Sequence, residues 1–311
     1  MKKLILGVAL LLAFAAGTLY FWPGALVAGI TFVERQQAGL SPRQVQVDDL
    51  TIHYYEGGPA NAETLLMIHG FGANRDNWLR FAHFFTDLYH VIALDLPGFG
   101  ESSRPDIRYD VLSQAERVRA FAQALKVERP HLIGNSMGGH IAALYAARHP
   151  AEVASLALLD NSGIDSPQKS ELIQRLERGE PNPLVARSAE EFDALLKFVF
   201  VTPPPLPDAL KRYFAERSVA NREHYDRIFA QLRSHYVPLE PELPKIEAPT
   251  LVLWGDKDRA LDVSSIQVME PLLKRPSVVV MKDCGHAPMI ERPEETARHY
   301  QAFLNRQKQE T

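Results

Sequence analysis

The chain of 311 residues contains a single cysteine, Cys284. One thiol excludes an intrachain disulfide framework and a cysteine-based structural metal site. A basic surplus is also missing, because 34 Lys and Arg residues stand against 38 Asp and Glu residues, which leaves a net charge of −4. Such a balance does not favour binding to a phosphate backbone, so we expect no nucleic-acid partner. The hydrophobic share of 46% excludes general disorder.

Charge is absent from one long segment, since no charged residue occurs between Leu4 and Val33. A helix that crosses a bilayer needs roughly 20 apolar residues, so residues 4–33 are predicted to form a transmembrane helix that anchors the chain in the lipid bilayer. Pro23 is expected to kink or interrupt this helix. Lys2 and Lys3 precede it, and the positive-inside rule therefore places the N-terminus in the cytoplasm and the remaining chain outside.

A cleavable signal peptide is the alternative for the same segment. Ala13-Phe14-Ala15 fits a small-residue cleavage site, but the apolar stretch continues well past it, which favours a retained anchor. Ala9, Ala13 and Gly17 recur every four residues on one helix face. Small residues at this spacing let two membrane helices approach closely, so a homodimer through the anchor is a further hypothesis.

Beyond Glu34, short β-rich runs alternate with longer helical stretches, which predicts an α/β fold with a mostly parallel, doubly wound sheet. The predicted strands are Val45–Tyr55, Thr64–His69, Val91–Asp95, His131–Gly134, Ser155–Asp160, Thr250–Trp254 and Ser277–Met281. The predicted helices between them are Leu112–Leu125, Met137–Arg148, Ser264–Leu273 and Glu294–Gln307. The alternation stops between Ser162 and Leu243, where the sequence is mostly helical and rich in proline, which predicts a helical cap.

The strongest functional motif is Gly134-Asn135-Ser136-Met137-Gly138, which follows the apolar run His131-Leu132-Ile133 and precedes a predicted helix. A G-x-S-x-G motif between a strand and a helix is the nucleophile elbow, whose sharp turn exposes the serine hydroxyl. The sequence therefore predicts Ser136 as a nucleophile.

A loop that could stabilise an oxyanion follows an earlier strand as His69-Gly70-Phe71-Gly72. The backbone N–H groups of Phe71 and Met137 are predicted to hold a substrate carbonyl oxygen as it gains negative charge. For the His69 side chain we expect a local structural role.

A serine hydroxyl needs a general base. His286, in Cys284-Gly285-His286 after the last predicted strand, is the predicted base. His140 lies one helical turn beyond Ser136 and is a weaker candidate.

An acid is needed to hold the imidazole in one tautomer. Asp258, in Trp254-Gly255-Asp256-Lys257-Asp258, is the predicted acid, because serine, acid and histidine then follow the chain order of α/β hydrolases. Asp256 is expected to stabilise the turn. Asp160, which follows the Leu156–Leu159 run, is the alternative acid.

These motifs, together with the loop Asp95-Leu96-Pro97-Gly98-Phe99-Gly100, resemble the α/β-hydrolase superfamily from about residue 45 to the end. Asp95 is expected to be structural. The anchor followed by Trp22-Pro23 resembles, more narrowly, membrane-anchored monoacylglycerol lipases and bacterial membrane-anchored phospholipases A. This resemblance implies release of fatty acids from glycerophospholipids, lysophospholipids or monoacylglycerols, with the catalytic domain on the periplasmic side of a bacterial-type inner membrane. No metal or organic cofactor is expected.

Four segments follow from these observations. They are an anchor with its juxtamembrane helix (1–38), the first part of the hydrolase core (39–161), a cap (162–245) and the second part of the core (246–311). Within the cap, Phe198–Val201 is predicted either to line an acyl-binding tunnel or to pack the cap on the core. Two other activities remain open, namely hydrolysis of carbon–carbon bonds in ring-cleavage products and hydrolysis of short-chain carboxylic esters.

Overall fold

The architecture is an eight-stranded sheet flanked by helices. A computed structural model describes Gly17 and residues 22–310 of the chain. The strands are β1 (Leu40–Val47), β2 (Leu50–Gly57), β3 (Thr64–Ile68), β4 (His90–Leu94), β5 (His131–Asn135), β6 (Ser155–Leu159), β7 (Thr250–Gly255) and β8 (Pro276–Met281). Their order in the sheet is β1-β2-β4-β3-β5-β6-β7-β8. The pairs β1–β2 and β2–β4 are antiparallel, and every other pair is parallel.

Eleven helices lie within residues 22–310. They are α1 (Pro23–Gln37), α2 (Leu79–Ala82), α3 (Val111–Ala124), α4 (Met137–Arg148), α5 (Glu171–Glu177), α6 (Ala189–Val199), α7 (Asp208–Ala220), α8 (Arg222–Ser234), α9 (Ser265–Met269), α10 (Pro288–Glu291) and α11 (Pro293–Glu310). Short 3-10 turns occur at Arg75–Trp78, Pro150–Glu152, Leu243–Lys245 and Glu270–Leu272.

The sheet is buried on both faces, which explains why its central strands are continuously apolar. Successive residues of β3 belong to different cores: Leu66 and Ile68 pack with the residues of α3 and α4, whereas Leu65 and Met67 pack with those of α2 and α11. Successive side chains of a strand point to opposite faces, so the two cores are the two sides of the sheet. The carboxyl ends of the parallel strands consequently share one edge.

The structure corrects one predicted strand. Residues 45–55 do not form a single strand but contribute to the β1–β2 hairpin, in which Val47 pairs with Leu50. The chain reverses at Asp48, whose φ is +49°. Aspartate tolerates this left-handed conformation better than most residues, but an Asp-Asp pair is a weaker turn signal than Asn-Gly or Asp-Gly. The other predicted strands are present within one or two residues.

The predicted helix Ser264–Leu273 is shorter than expected. The α-helix ends at Met269 and passes into the 3-10 turn Glu270–Leu272. Pro271 has no amide hydrogen and cannot continue the helical bonding pattern, which explains the change. The remaining predicted helices are confirmed, and Met137–Arg148 has the predicted bounds.

Four helices, α5 to α8, lie between β6 and β7, in the stretch where the strand pattern stops. The helix α1 begins at Pro23, the position predicted to interrupt the anchor. It lies against this group of helices at Gly24. A Cβ added there would come 3.1 Å from the ring of Tyr213 in α7.

Most of the predicted anchor, residues 4–21 apart from Gly17, lies outside the described residues. None of the helices within the described part of the chain combines the length and the apolar character that a membrane span requires.

Candidate active site

Ser136 occupies a sharp turn between β5 and α4 at the shared carboxyl edge of the parallel strands. Its φ of +56° is unusual for a residue with a side chain. Two glycines make the turn possible. A Cβ on Gly134 would lie 2.2 Å from the carbonyl oxygen of Gly138, and one on Gly138 would lie 2.2 Å from that of Ile68. The geometry is that of a nucleophile elbow, with the serine half-buried at the N-terminus of a helix.

The predicted oxyanion loop lies against this serine. A Cβ built on Gly70 would come 3.1 Å from the Cβ of Ser136, so Gly70 and Ser136 are immediate neighbours. Phe71 follows Gly70 directly. Met137 is the first residue of α4, and its N–H therefore has no partner inside the helix. One predicted donor thus follows a neighbour of the serine and the other follows the serine itself, and their role stays a prediction.

The His69 side chain has the local structural role that the sequence predicts, because its ring bonds the backbone of the oxyanion loop. It is fully buried. The ring Nδ1 lies 2.7 Å from the carbonyl oxygen of Gly70, and the N–H of Leu96 points at Nε2 at 3.0 Å. Because a carbonyl can only accept and an N–H can only donate, these partners fix a neutral imidazole protonated on Nδ1. Burial lowers the pKa of His69 to about 4, an effect that the bond to Gly70 partly offsets.

His286 and Asp258 are directly paired. Their side chains are buried, and Nδ1 of the imidazole lies 2.7 Å from Oδ2 of the carboxylate. The other oxygen of Asp258 accepts the backbone N–H groups of Ala260 at 2.7 Å and Leu261 at 3.1 Å. A carboxylate held in this way fixes the imidazole tautomer with the proton on Nδ1, which leaves Nε2 free to accept a proton.

The elbow and the histidine loop are joined by Asn135, which the sequence analysis did not single out. Its side-chain amide donates to the carbonyl oxygens of Leu159 at 3.1 Å and His286 at 3.0 Å. No hydrogen bond between the Ser136 hydroxyl and the imidazole is present in the described residues. Hydrogen bonds of this kind are often long before substrate binds and shorten in the reactive complex.

The histidine loop is also attached to the helices between β6 and β7. The N–H of His286 donates to the carbonyl oxygen of Val199 at 2.8 Å. Glu291, in α10, accepts the N–H groups of Gly285 at 3.0 Å and of Thr202 at 2.9 Å, with a longer bond from Val201 at 3.3 Å. The carboxylate of Glu291 therefore bridges the loop that carries His286 and the segment that follows α6.

An aromatic group lies beside the oxyanion loop. The Phe71 ring makes edge contacts with Phe99, Tyr225 and Phe229, and Tyr225 stacks on Phe99 at a centroid separation of 5.8 Å. Tyr225 and Phe229 belong to α8, so an apolar surface extends from the site towards this helix. Phe198, in the predicted tunnel segment, instead packs among Leu172, Ala260 and two arginine side chains.

The other candidate residues have structural partners. His140 is buried and donates from Nε2 to the carbonyl oxygen of Val237 at 2.8 Å. Asp256 accepts the N–H of Asp283 at 2.7 Å, which ties the acid loop to the histidine loop. Asp95 pairs with the buried Arg75 at 2.8 Å. Burial raises the pKa of the Cys284 thiol, which is therefore a poor nucleophile.

Asp160 lies deeper than Asp258. Possible ligand atoms, one each from Asp160, Asp258 and His286, lie within 4.8 Å of one another. Among the described residues this is the one group that could hold a metal ion. Since His286 and Asp258 already bond each other, the arrangement is better suited to moving a proton than to binding a cation.

The chain is similar to several known proteins. Residues 63–293 match the family described as alpha/beta hydrolase fold. A solved membrane phospholipase A, described as a novel bacterial virulence factor, is 65% identical, covers 99% of both chains and superposes with a TM-score of 0.92. Lipase 1 of Psychrobacter immobilis is 39% identical over 80% of this chain and 79% of its own. Monoacylglycerol lipase ABHD6 of Mus musculus is 30% identical over 94% of this chain and 91% of its own.

Proposed function

The chain belongs to the α/β-hydrolase family, and from this membership we propose that it is a membrane-associated serine hydrolase that releases fatty acids from glycerolipids. The observation that carries the proposal is the buried 2.7 Å pair of His286 and Asp258, which stands at the same sheet edge as the strained Ser136. This is the combination that acyl transfer to a serine requires.

The reaction would proceed in two acyl transfers. The Ser136 hydroxyl attacks the ester carbonyl while Nε2 of His286 takes its proton, and Asp258 stabilises the imidazolium that results. The N–H groups of Phe71 and Met137 hold the oxyanion, and each such donor typically lowers the barrier by about 3 kcal/mol. The alcohol leaves with the proton from His286. Water, activated by the same imidazole, then releases the fatty acid and restores the serine.

The relatives support lipid esters as the substrate class, because they are named lipases, a phospholipase A and a monoacylglycerol lipase. The partly exposed side chains of Phe71, Tyr225 and Phe229 support the same class, since they offer an acyl chain an apolar place beside the oxyanion loop. In this proposal residues 162–245 form a cap over the site, and residues 39–161 and 246–311 form the catalytic core.

Membrane association is the second part of the proposal. The uncharged segment 4–33 would anchor the chain, with the N-terminus in the cytoplasm and the catalytic domain outside. The described end of this segment is compatible with a membrane surface, because Trp22, Phe32 and Val33 are all more than half exposed. Carbonate extraction of membranes from cells that express the full chain tests the anchor, which should keep the protein in the pellet. Cross-linking in the same membranes tests the homodimer.

The activity is tested with detergent-solubilised full-length protein. A fluorophosphonate probe should label the wild type and the Ser166→Ala control, which removes a half-buried serine away from the elbow, but not Ser136→Ala. Fatty acid release is then measured from diacyl phospholipid, lysophospholipid, monoacylglycerol and a short-chain p-nitrophenyl ester. Activity on the short ester alone would favour the short-chain esterase, and activity confined to a vinylogous diketone would favour carbon–carbon hydrolysis. Persistent labelling of Ser136→Ala would refute the assignment of the nucleophile.

A further inference from the structure

Asp160 is a fully buried acid in an unusual backbone conformation. It follows β6, has no exposed surface and adopts a φ of +46°. Its N–H donates to the carbonyl oxygen of Leu253 at 3.0 Å, and its Oδ1 accepts the N–H of Gly255 at 2.8 Å. Among the described residues, no N–H or O–H group donates a hydrogen bond to its buried Oδ2. A non-glycine residue held in this conformation at the site suggests a specific task for its side chain.

The groups that face Asp160 are mostly acidic. They are Asp258 in the loop after β7, Glu291 in α10, the Cys284 thiol in the loop after β8, and the imidazole of His286, which already bonds Asp258. Two carboxyl groups this close in a buried place do not both ionise, because the charges repel each other and neither is solvated. One of the pair therefore keeps its proton.

The hydrogen bonds decide which of the two carboxyl groups is neutral. Asp258 receives three donors, from the N–H groups of Ala260 and Leu261 and from the imidazole. Asp160 receives one, from Gly255. Donors stabilise the charged form, so Asp258 is the carboxylate and Asp160 the acid. Burial, and after it the charge of Asp258, raise the pKa of Asp160 well above its usual range.

We propose that Asp160 is a neutral carboxylic acid whose Oδ2–H donates to the Asp258 carboxylate and so positions that carboxylate towards His286. The hydrogen bond gives the otherwise unpartnered oxygen its partner and helps to set the orientation of the Asp258 carboxylate. Through Gly255, the same side chain holds the start of the loop that carries Asp258. Asp160 is in this view a positioning residue, and its role rests on the proposed hydrolase function.

An asparagine can do both tasks of a neutral aspartic acid, because its Oδ1 accepts and its Nδ2 donates. Asp160→Asn should therefore keep kcat for a p-nitrophenyl ester within about threefold of the wild type. Asp160→Ala removes both bonds and should lower kcat roughly a hundredfold with little change in KM, as about 1 Å of misplacement typically does. Asp258→Asn should lose roughly 10⁴-fold, because the asparagine amide would favour the wrong tautomer of His286.

The protonation state has a readout besides activity. The infrared spectrum of the wild type at pH 7 should contain the carbonyl band of a buried carboxylic acid, which Asp160→Asn removes. The control Asp256→Asn, in the neighbouring turn, should keep the band. An Asp160→Asn protein that is folded but as inactive as Asp258→Asn would overturn the proposal, as would full activity of Asp160→Ala. A wild type that hydrolyses no ester while the band behaves as expected would refute the hydrolase function and leave the neutral acid intact.

Discussion

The buried imidazole of His69 predicts a measurable loss of stability in mild acid. Its two partners require the neutral tautomer, and burial lowers its pKa to about 4, compared with 6.5 in the unfolded chain. As the pH falls below 6.5, the unfolded chain binds a proton at this residue and the folded protein does not. The stability that His69 contributes is therefore complete above pH 6.5 and is lost progressively towards pH 4.

The size of the effect follows from the two pKa values. At pH 7 the unfolded chain gains about 0.2 kcal/mol from protonation of this histidine, and at pH 5 it gains about 2 kcal/mol. His69→Gln cannot bind the proton, so it is free of this loss. At pH 7 the substitution should destabilise the protein by about 1–3 kcal/mol, because the hydrogen bonds to Gly70 and Leu96 are weakened. At pH 5 the difference should be smaller by about 2 kcal/mol.

The assay is urea unfolding of the wild type and His69→Gln at intervals between pH 5 and pH 7.5, with the free energy extrapolated to water. The difference between the two proteins is the quantity to use, because Asp160 has the opposite effect. Its raised pKa means that the folded protein gains stability as the pH falls. That contribution is common to both proteins and cancels. The difference in unfolding free energy between the wild type and His140→Gln should change with pH in a similar way, since burial lowers the pKa of His140 to about 4 as well.

A constant difference between the wild type and His69→Gln across this pH range would refute the reasoning. It would mean that His69 takes up its proton at the same pH in the folded and unfolded states. The oxyanion loop would then not rest on a neutral imidazole, and the tautomer deduced from the contacts with Gly70 and Leu96 would be wrong.

Two other substitutions test how the site is held together. Glu291→Gln replaces a carboxylate that accepts three backbone N–H groups. The free energy of unfolding should fall by about 2 kcal/mol, and kcat should fall because the His286 loop is less firmly held. The exposed control Glu294→Gln should change neither quantity. An unchanged kcat for Glu291→Gln would contradict this link. Gly138→Ala places a Cβ 2.2 Å from a backbone oxygen, which should cost more than about 3 kcal/mol in a thermal or urea unfolding assay. Gly179→Ala has open space and only a left-handed φ to oppose it, so its cost should be about 1 kcal/mol.

The residues proposed to carry the chemistry were accessible from sequence because each follows a recognisable strand. Ser136, Asp258 and His286 come after β5, β7 and β8, and the carboxyl ends of parallel strands meet at one edge. The fold was predictable for a related reason, since buried parallel strands are continuously apolar. The β1–β2 hairpin was missed because its reversal depends on a single left-handed aspartate, Asp48.

The residues that support the site were not accessible in the same way. Asn135 reaches the carbonyl oxygen of His286 across 151 positions of the chain, and Glu291 bonds Thr202 across 89. Nothing in the local sequence of either residue signals its distant partner. Asp160 was recognised as an acid near the site, but only the count of donors around it and Asp258 distinguishes a neutral acid from a carboxylate.

Two attachments of the histidine loop make its position depend on the helices between β6 and β7. Asn135 holds the loop to the elbow, but the N–H of His286 and the bridge through Glu291 hold it to the segment that follows α6. A movement of α6 would displace Val199, whose carbonyl oxygen accepts the N–H of His286, and would therefore strain or break that hydrogen bond. Because general-base catalysis requires hydrogen-bond distance between the imidazole and the attacking hydroxyl, such a movement would separate the proton acceptor from Ser136.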